Sequence, residues 1–270
     1  MAIINRTPDS FFDRGATYGD AEALDAVGRA IEDGAGIVDI GGVKAGPGAE
    51  VDTTEELRRV AGFVGQVRAR YPDVVISVDT WRAEVGRAVA MEGADVLNDA
   101  WGGVDPELAT VAAEHQLGIV CTHAGGVVPR TRPHRRTYDD VVTDIVATTT
   151  GLAERAVALG VRPDAVLIDP GHDFGKNSRH SIEATRRTGE LVATGWPVLV
   201  ALSNKDFLGE TLDAGVDGRL EATLAATAVT AWLGARFFRA HQVAVTRRVL
   251  DTVATISGHR DLAVARRGVV

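Results

Sequence analysis

The sequence predicts an α/β fold, specifically a TIM-type (β/α)8 barrel, with a doubly wound open sheet as the alternative. Short apolar runs alternate with helical patterns from one end of the chain to the other. Most of the runs are near-continuous rather than alternating, as expected for parallel strands covered by helices. There are eight β-then-α units in series, and that count favours the barrel.

The strand candidates are AIIN (2–5), IVDIGG (37–42), VVISVDT (74–80) and ADVLND (94–99), then LGIVCTH (117–123), DAVLIDP (164–170), PVLVALS (197–203) and ARFFRAH (235–241). Amphipathic stretches at 53–70, 82–92, 138–159 and 219–234 lie between them. Several crossovers repeat one step before the strand: Gly34-Ala35, Gly93-Ala94, Leu117-Gly118 and Gly234-Ala235. A helix C-terminal glycine followed at once by a strand explains it.

Composition narrows the function classes. The 270 residues, 45% hydrophobic, can bury one substantial core, and no linker or charge run divides residues 1–270, so a single domain is expected. A formal net charge of −8 disfavours a nonspecific nucleic-acid surface. The one cysteine, Cys121, lies in an apolar run and reads as a buried small side chain in a reducing compartment. No run approaches the roughly 18 apolar residues of a membrane span. No signal peptide is evident at the start, so a cytoplasmic protein without membrane or nucleic-acid partners is expected.

Polar and ionisable groups recur at one end of almost every strand: Asn5, Gly41-Gly42, Asp79, Asn98-Asp99, His123, Asp169, Ser203 and Arg239/His241. In a barrel these ends meet on one face, where active sites are built. Capping of the next helix explains any one of them but not the whole set. Asp79, Asn98 and Asp169 offer partners for the amidine-like edge of a heterocycle. Lys205, Arg239 and His241 offer donors suited to phosphate oxygens. Asn5 has an amide oxygen for a hard cation such as Mg2+, which binds largely through phosphate. A polar heterocycle with a phosphate tail fits both halves; an internal salt-bridge network with Lys205 and Arg239 is the competing reading.

The glycine-rich pieces GGVKAGPG (41–48), HAGG (123–126) and DPGHDFGK (169–176) match no nucleotide-binding fingerprint and read as mobile loops closing over a ligand. Residues 124–137 carry five basic residues, read either as a solvated loop or as a lid over an anion.

Together the motifs resemble the dihydropteroate synthase family over nearly the whole chain. NRTPDSF (5–11) is similar to that family's N-V-T-P-D-S-F signature, and DIGG (39–42) to the start of its second. SVDT (77–80), the Asn98-Asp99 pair, DPG…FGK (169–176), S-x-K (203–205) and RAH (239–241) follow in the family's order. The resemblance implies a TIM barrel that joins 6-hydroxymethyl-dihydropterin pyrophosphate to p-aminobenzoate, releasing pyrophosphate with Mg2+. By position, Asp79, Asn98, Asp169 and Lys205 would hold the pterin. Asn5, Arg239 and His241 would hold the pyrophosphate and its metal, with Lys205, Arg239 and His241 as the catalytic cations. A homodimer pairing through C-terminal helices is also implied, and Met1 need not be the natural start.

The departures fall on the acceptor side. The family's D-I-G-G-E-S-T-R-P-G is here DIGGVKAGPG, with Val43, Lys44, Ala45 and Gly46 in place of Glu, Ser, Thr and Arg. M-H-x-R-G becomes THAGG, and D-P-G-I-G-F-G-K becomes DPGHDFGK, which introduces His172 and Asp173. S-R-K-S becomes Ser203-Asn204-Lys205-Asp206. In the family, the residue after the lysine sits at the helix N-terminus that receives the acceptor's carboxylate; Asp206 would supply an anion there and repel a second. The expectation is a paralogue with its pterin half kept and its p-aminobenzoate site altered, giving weak or absent synthase activity. A pterin-binding protein without turnover, transfer to another acceptor, and a pterin-binding methyltransferase domain are the alternatives.

Overall fold

In the computed structural model, which describes residues 1–8, 15–131 and 136–267, strands and helices alternate as expected of a barrel. The order is β1 (Ala2–Asn5), α1 (Asp20–Glu32), β2 (Ile37–Gly41), α2 (Thr53–Arg70), β3 (Val75–Asp79), α3 (Ala83–Met91), β4 (Val96–Asp99), α4 (Leu108–Glu114) and β5 (Gly118–Thr122). Then come α5 (Val141–Leu159), β6 (Val166–Asp169), α6 (Ser178–Arg186), α7 (Thr188–Val192), β7 (Leu199–Ala201), α8 (Asp206–Leu212), α9 (Leu220–Trp232), β8 (Phe237–Arg239) and α10 (Val243–Ile256). Residues 9–11 of the first motif and 132–135 of the long basic loop lie outside the described residues.

The first six strands pair in sequence order, all parallel, while β7 and β8 form a parallel pair of their own. Parallel bridges Ile168↔Val198 and Ala2↔Ala240 join the two groups and close the cylinder. The Ile168 N–H donates to Pro197 O at 3.0 Å, and the Ile3 N–H to Ala240 O at 3.1 Å. The fold is a TIM barrel.

Side chains alternate between faces along a strand, and here the two faces differ in kind. Val38, Ile40, Ile76, Val78, Leu97, Ile119, Ile168 and Phe238 are buried in the main core, packed under the helices. Val120, Leu167, Leu199 and Ala201 form a separate cluster that fills the barrel. Two residues beyond the inward Leu167 and Phe237 stand Asp169 and Arg239. The strands read as continuous apolar runs because both faces are buried; their polar tips are the last inward positions.

Local chemistry sets the helix ends. The Asp52 carboxylate accepts the Glu55 N–H at 2.8 Å to start α2, and Asp140 accepts the N–H groups of Val142 and Thr143, both at 2.9 Å, to start α5. The glycine–alanine steps work as expected at Gly34, Gly93 and Gly234, whose φ values of 94°, 97° and 106° end α1, α3 and α9. Leu117-Gly118 works differently: Gln116 takes the left-handed turn (φ 56°), and Gly118 is needed because a Cβ there would lie 2.9 Å from Ala165 O.

Candidate functional site

Arg239, at the end of β8, reaches across the barrel interior. Its Nε donates to Asp39 Oδ2 at 2.6 Å and its Nη2 to Asp79 Oδ2 at 2.9 Å. Asp39 also accepts the Ser77 hydroxyl at 2.5 Å and the Asn98 amide at 3.2 and 3.3 Å. Four strands thus converge on one buried carboxylate, fully shielded from solvent. Burial works against the Arg239 charge, yet Asp39 and Asp79 hold its pKa above the ordinary value. Burial pushes Asp79 up to about 7; Arg239 opposes the shift and Asp39 adds to it.

Lys205 forms a second corner. Its Nζ donates to the carbonyl of His172 and stands 4.8 Å from the centre of the Phe174 ring. Burial lowers its pKa, with the Asp173 and Asp169 carboxylates acting against the shift. Asp169 is itself raised by burial, with Lys205 opposing; its Oδ1 accepts the Gly171 N–H at 2.7 Å. Phe174 meets Trp101 edge-to-face at 4.9 Å, and Trp101 meets Trp81 at 6.2 Å, so an aromatic wall flanks this corner.

The structure brings Asp79, Asn98 and Arg239 into one bonded network through Asp39, and places Asp169 and Lys205 within electrostatic reach of Arg239. Half of the internal-network reading therefore holds in this state: Arg239 is paired inside the barrel, whereas Lys205 rests on a carbonyl. Asp99 turns away, accepting the N–H groups of Trp101 and Gly103 at 3.1 and 2.6 Å, and so shapes the following loop. Asn5 ends β1, and its carbonyl accepts the Thr17 hydroxyl at 2.6 Å. His241 lies two residues beyond β8, and its N–H donates to Ser203 Oγ at 3.2 Å.

On the altered side, Val43 is buried, Lys44 and Gly46 are half-buried and Ala45 is exposed. The expectation for Asp206 is corrected. Its side chain turns outward to pair with Arg219 Nη1 at 2.8 Å. The carboxylate on the first amide of α8 is that of Asp173, whose Oδ2 accepts the Asp206 N–H at 3.0 Å while Oδ1 accepts the Ser181 hydroxyl at 3.1 Å. Asp173 can reach it because its own backbone is left-handed, φ 66°.

The glycine-rich loops after β5 and β6 also differ from the expectation of mobile loops, because they are interlocked. A Cβ on Gly171 would lie 2.1 Å from His123 O, and one on Gly175 2.5 Å from Ala124 O, so the two backbones are in direct contact. The Tyr138 hydroxyl donates to Gly175 O at 2.7 Å, and Lys176 Nζ bonds three carbonyls of these loops. Two residues that sequence reasoning passed over, Asp39 and Lys176, are central here. A carboxylate inside the apolar run IVDIGG was the available signal for the first, and the family-like DPG…FGK (169–176) that ends at Lys176 was the signal for the second.

Residues 1–241 match the family described as pterin binding enzyme. The chain belongs to that family. Inactive dihydropteroate synthase 2 of Mycobacterium tuberculosis (strain ATCC 25618 / H37Rv) is 56% identical over 99% of this chain and 86% of that protein. The dihydropteroate synthase of Escherichia coli (strain K12) is 36% identical over 95% of this chain and 91% of its own. Among solved structures, Yersinia pestis dihydropteroate synthase in a sulfonamide drug complex superposes with a TM-score of 0.90 at 34% identity, covering 96% and 94% of the two chains. Asp79, Asn98, Asp169, Lys205 and Arg239 come together inside this barrel. Among the described residues no helix is long and apolar enough to cross a membrane, and no group of three or more His, Cys, Asp or Glu is placed to hold a metal ion.

Proposed function

We propose that this barrel binds 6-hydroxymethyl-7,8-dihydropterin pyrophosphate and that its acceptor side is closed to p-aminobenzoate, so that dihydropteroate synthesis is weak or absent. Asp79, Asn98 and Asp169 take the donor edge of the pterin, with Lys205 beside it. Arg239 and His241 face the diphosphate, and Arg239 exchanges part of its bonding to Asp79 for phosphate oxygens as the ligand enters. This chain offers Mg2+ a single amide oxygen, that of Asn5, which suits an ion that arrives with the diphosphate and keeps most of its ligands there. Bound there, Mg2+ would neutralise charge on the leaving group.

In the family reaction the C–O bond to the diphosphate breaks with its electron pair leaving on oxygen, and the amine nitrogen bonds the exposed carbon and loses a proton. Fixed charges at the mouth favour that separation. The acceptor's carboxylate must be held as well, and the observation that carries the proposal bears on this: the Asp173 carboxylate already takes the Asp206 N–H beside Lys205. A second carboxylate would meet an occupied donor and a like charge. The name of the mycobacterial relative supports the same reading. A cytoplasmic location goes with it. So does a homodimer, for which the exposed Val229 and Trp232 of α9 and Ile256 of α10 offer an apolar face.

The test is direct. Purified protein should bind the pterin pyrophosphate in calorimetry, yet release little pyrophosphate and form little dihydropteroate when p-aminobenzoate is added. Turnover at an ordinary enzymatic rate refutes the closed acceptor side, and failure to bind the pterin refutes the rest.

A further inference from the structure

Beneath the Lys205 corner lies a buried lysine that the proposed function does not use. Lys176 is 5% exposed, and its Nζ has four acceptors: His123 Nδ1 at 2.6 Å and the carbonyls of His123, Gly171 and Phe174, each at 3.0 Å. An ammonium has three protons and no lone pair, so at least one proton is shared between two of these four acceptors. None of them is a carboxylate. The bond from Lys176 fixes the imidazole lone pair on Nδ1, so Nε2 carries the proton and donates it to Asp144 Oδ1 at 2.6 Å. His123 is fully buried, whereas the Asp144 side chain is 48% exposed on α5. Burial lowers the Lys176 pKa well below its ordinary value; Asp169 opposes that shift most, and Asp144, bonded through the ring, adds to the opposition.

The carbonyls that Lys176 gathers define the turn 171–176 and tie it to the end of β5. The other side of that turn offers the His172 carbonyl to Lys205, sets Phe174 under its Nζ and sends Asp173 to the start of α8. The two lysines thus bond to opposite sides of one turn.

We propose that Lys176 is the positioning residue of the Lys205 corner: its amino group, bonded to three loop carbonyls and to the His123–Asp144 pair, folds the 171–176 turn into the form that seats Lys205, Phe174 and Asp173. The groups facing Lys176 are His123 at the end of β5, Asp144 of α5, Asp169 of β6, His172 and Asp173 of its own turn, and Lys205 before α8. Tyr138 and His180 stand on the outer side of the turn. Among these only Asp144 combines solvent exposure with a direct bond to the relay, so it can be altered with least harm to the fold.

The clamp can be tested with and without a ligand. The first arm is amide hydrogen exchange across residues 171–176 in the unliganded protein, corrected for intrinsic rates. The second is calorimetry with 6-hydroxymethylpterin as probe, and that arm alone rests on the proposed function. Lys176→Met should speed exchange and weaken pterin binding by about tenfold or more, a loss of about 1.4 kcal/mol. In Asp144→Asn the alkaline rise in exchange should begin at lower pH than in the parent, because removing the carboxylate makes the ammonium easier to deprotonate. A purely structural contact would leave that pH limb in place. Slow exchange in Lys176→Met, or an unmoved limb in Asp144→Asn, overturns the proposal. A parent protein that binds no pterin refutes the ligand reading, while the exchange arm still decides the clamp.

Discussion

The Asp173 carboxylate accepts the backbone N–H of Asp206 at 3.0 Å, so the first amide of α8 is satisfied from within the chain. Burial raises the pKa of Asp173 against the pull of Lys205, and repulsion from the Asp206 carboxylate adds to the rise. Replacing Asp173 with glycine removes the internal anion and suits the left-handed backbone at that position. Affinity for p-aminobenzoate, measured by calorimetry with pyrophosphate present, is expected to rise about tenfold, or about 1.4 kcal/mol. Asp206→Ser alone should change it little, since that side chain points to Arg219. The reverse ranking would restore Asp206 as the blocking residue.

Asp79 gives a pH dependence with a definite sign. Its carboxyl has an ordinary pKa of 3.8 in the unfolded chain and is pushed up to about 7 in the fold, because burial disfavours its charge. The folded protein therefore holds an extra proton between these limits, and the stability this brings is full below the lower value and lost as pH rises through the upper. Ligand binding runs the other way, since a pterin edge donating N–H groups prefers the ionised form. Pterin affinity should climb between pH 6 and pH 8 in the parent and stay flat in Asp79→Asn. Parallel profiles would remove Asp79 from the heterocycle contact.

Asp39 holds Arg239, Asn98 and Ser77 together. Asp39→Ala leaves a guanidinium with half its countercharge and an amide without its acceptor, at an expected cost of about 3 kcal/mol or more in urea unfolding. Asp39→Asn keeps the shape and should cost less. Equal stability for all three proteins would mean the network carries no net energy.

Gly171 is confined twice over, by a φ of 61° and by the His123 carbonyl 2.1 Å from any added Cβ. Gly171→Ala must push the two loops apart and should lower stability by about 2 kcal/mol or more, read as a drop in Tm. Gly189→Ala is the control: it lies in α7 with nothing within 4 Å of the added carbon, and should be neutral or mildly stabilising.

How much of this was legible in the sequence follows from what each feature depends on. Strands and their order showed through because burial on both faces forces continuous apolar runs, as in VVISVDT and LGIVCTH. The α2 boundaries matched the expected 53–70 because an Asp cap and terminal charges mark them. The strands β7 and β8 are shorter than expected, three residues each; the flanking Val198 and Ala240 pair instead with Ile168 and Ala2 through isolated bridges. Rim residues could be named from position alone, but their pairing could not. Which carboxylate takes Arg239, or which aspartate reaches α8, depends on distances between segments far apart in the chain. Asp39 was passed over for being mid-strand rather than at a tip, and the aromatic pair Trp81 and Trp101 for lacking a periodic signal.

The closure of the cylinder has a consequence for how the mouth is held together. The carboxylates Asp39, Asp79 and Asp169 and the Asn98 amide belong to the six-stranded group, whereas Lys205 and Arg239 come with the β7–β8 pair. Along each seam between these groups the bridge is a single residue pair. Arg239 crosses the interior to Asp39 and Asp79, so its ion pairs brace the β7–β8 group against β2 and β3 in addition to those two bridges, and a ligand that draws Arg239 away removes that brace.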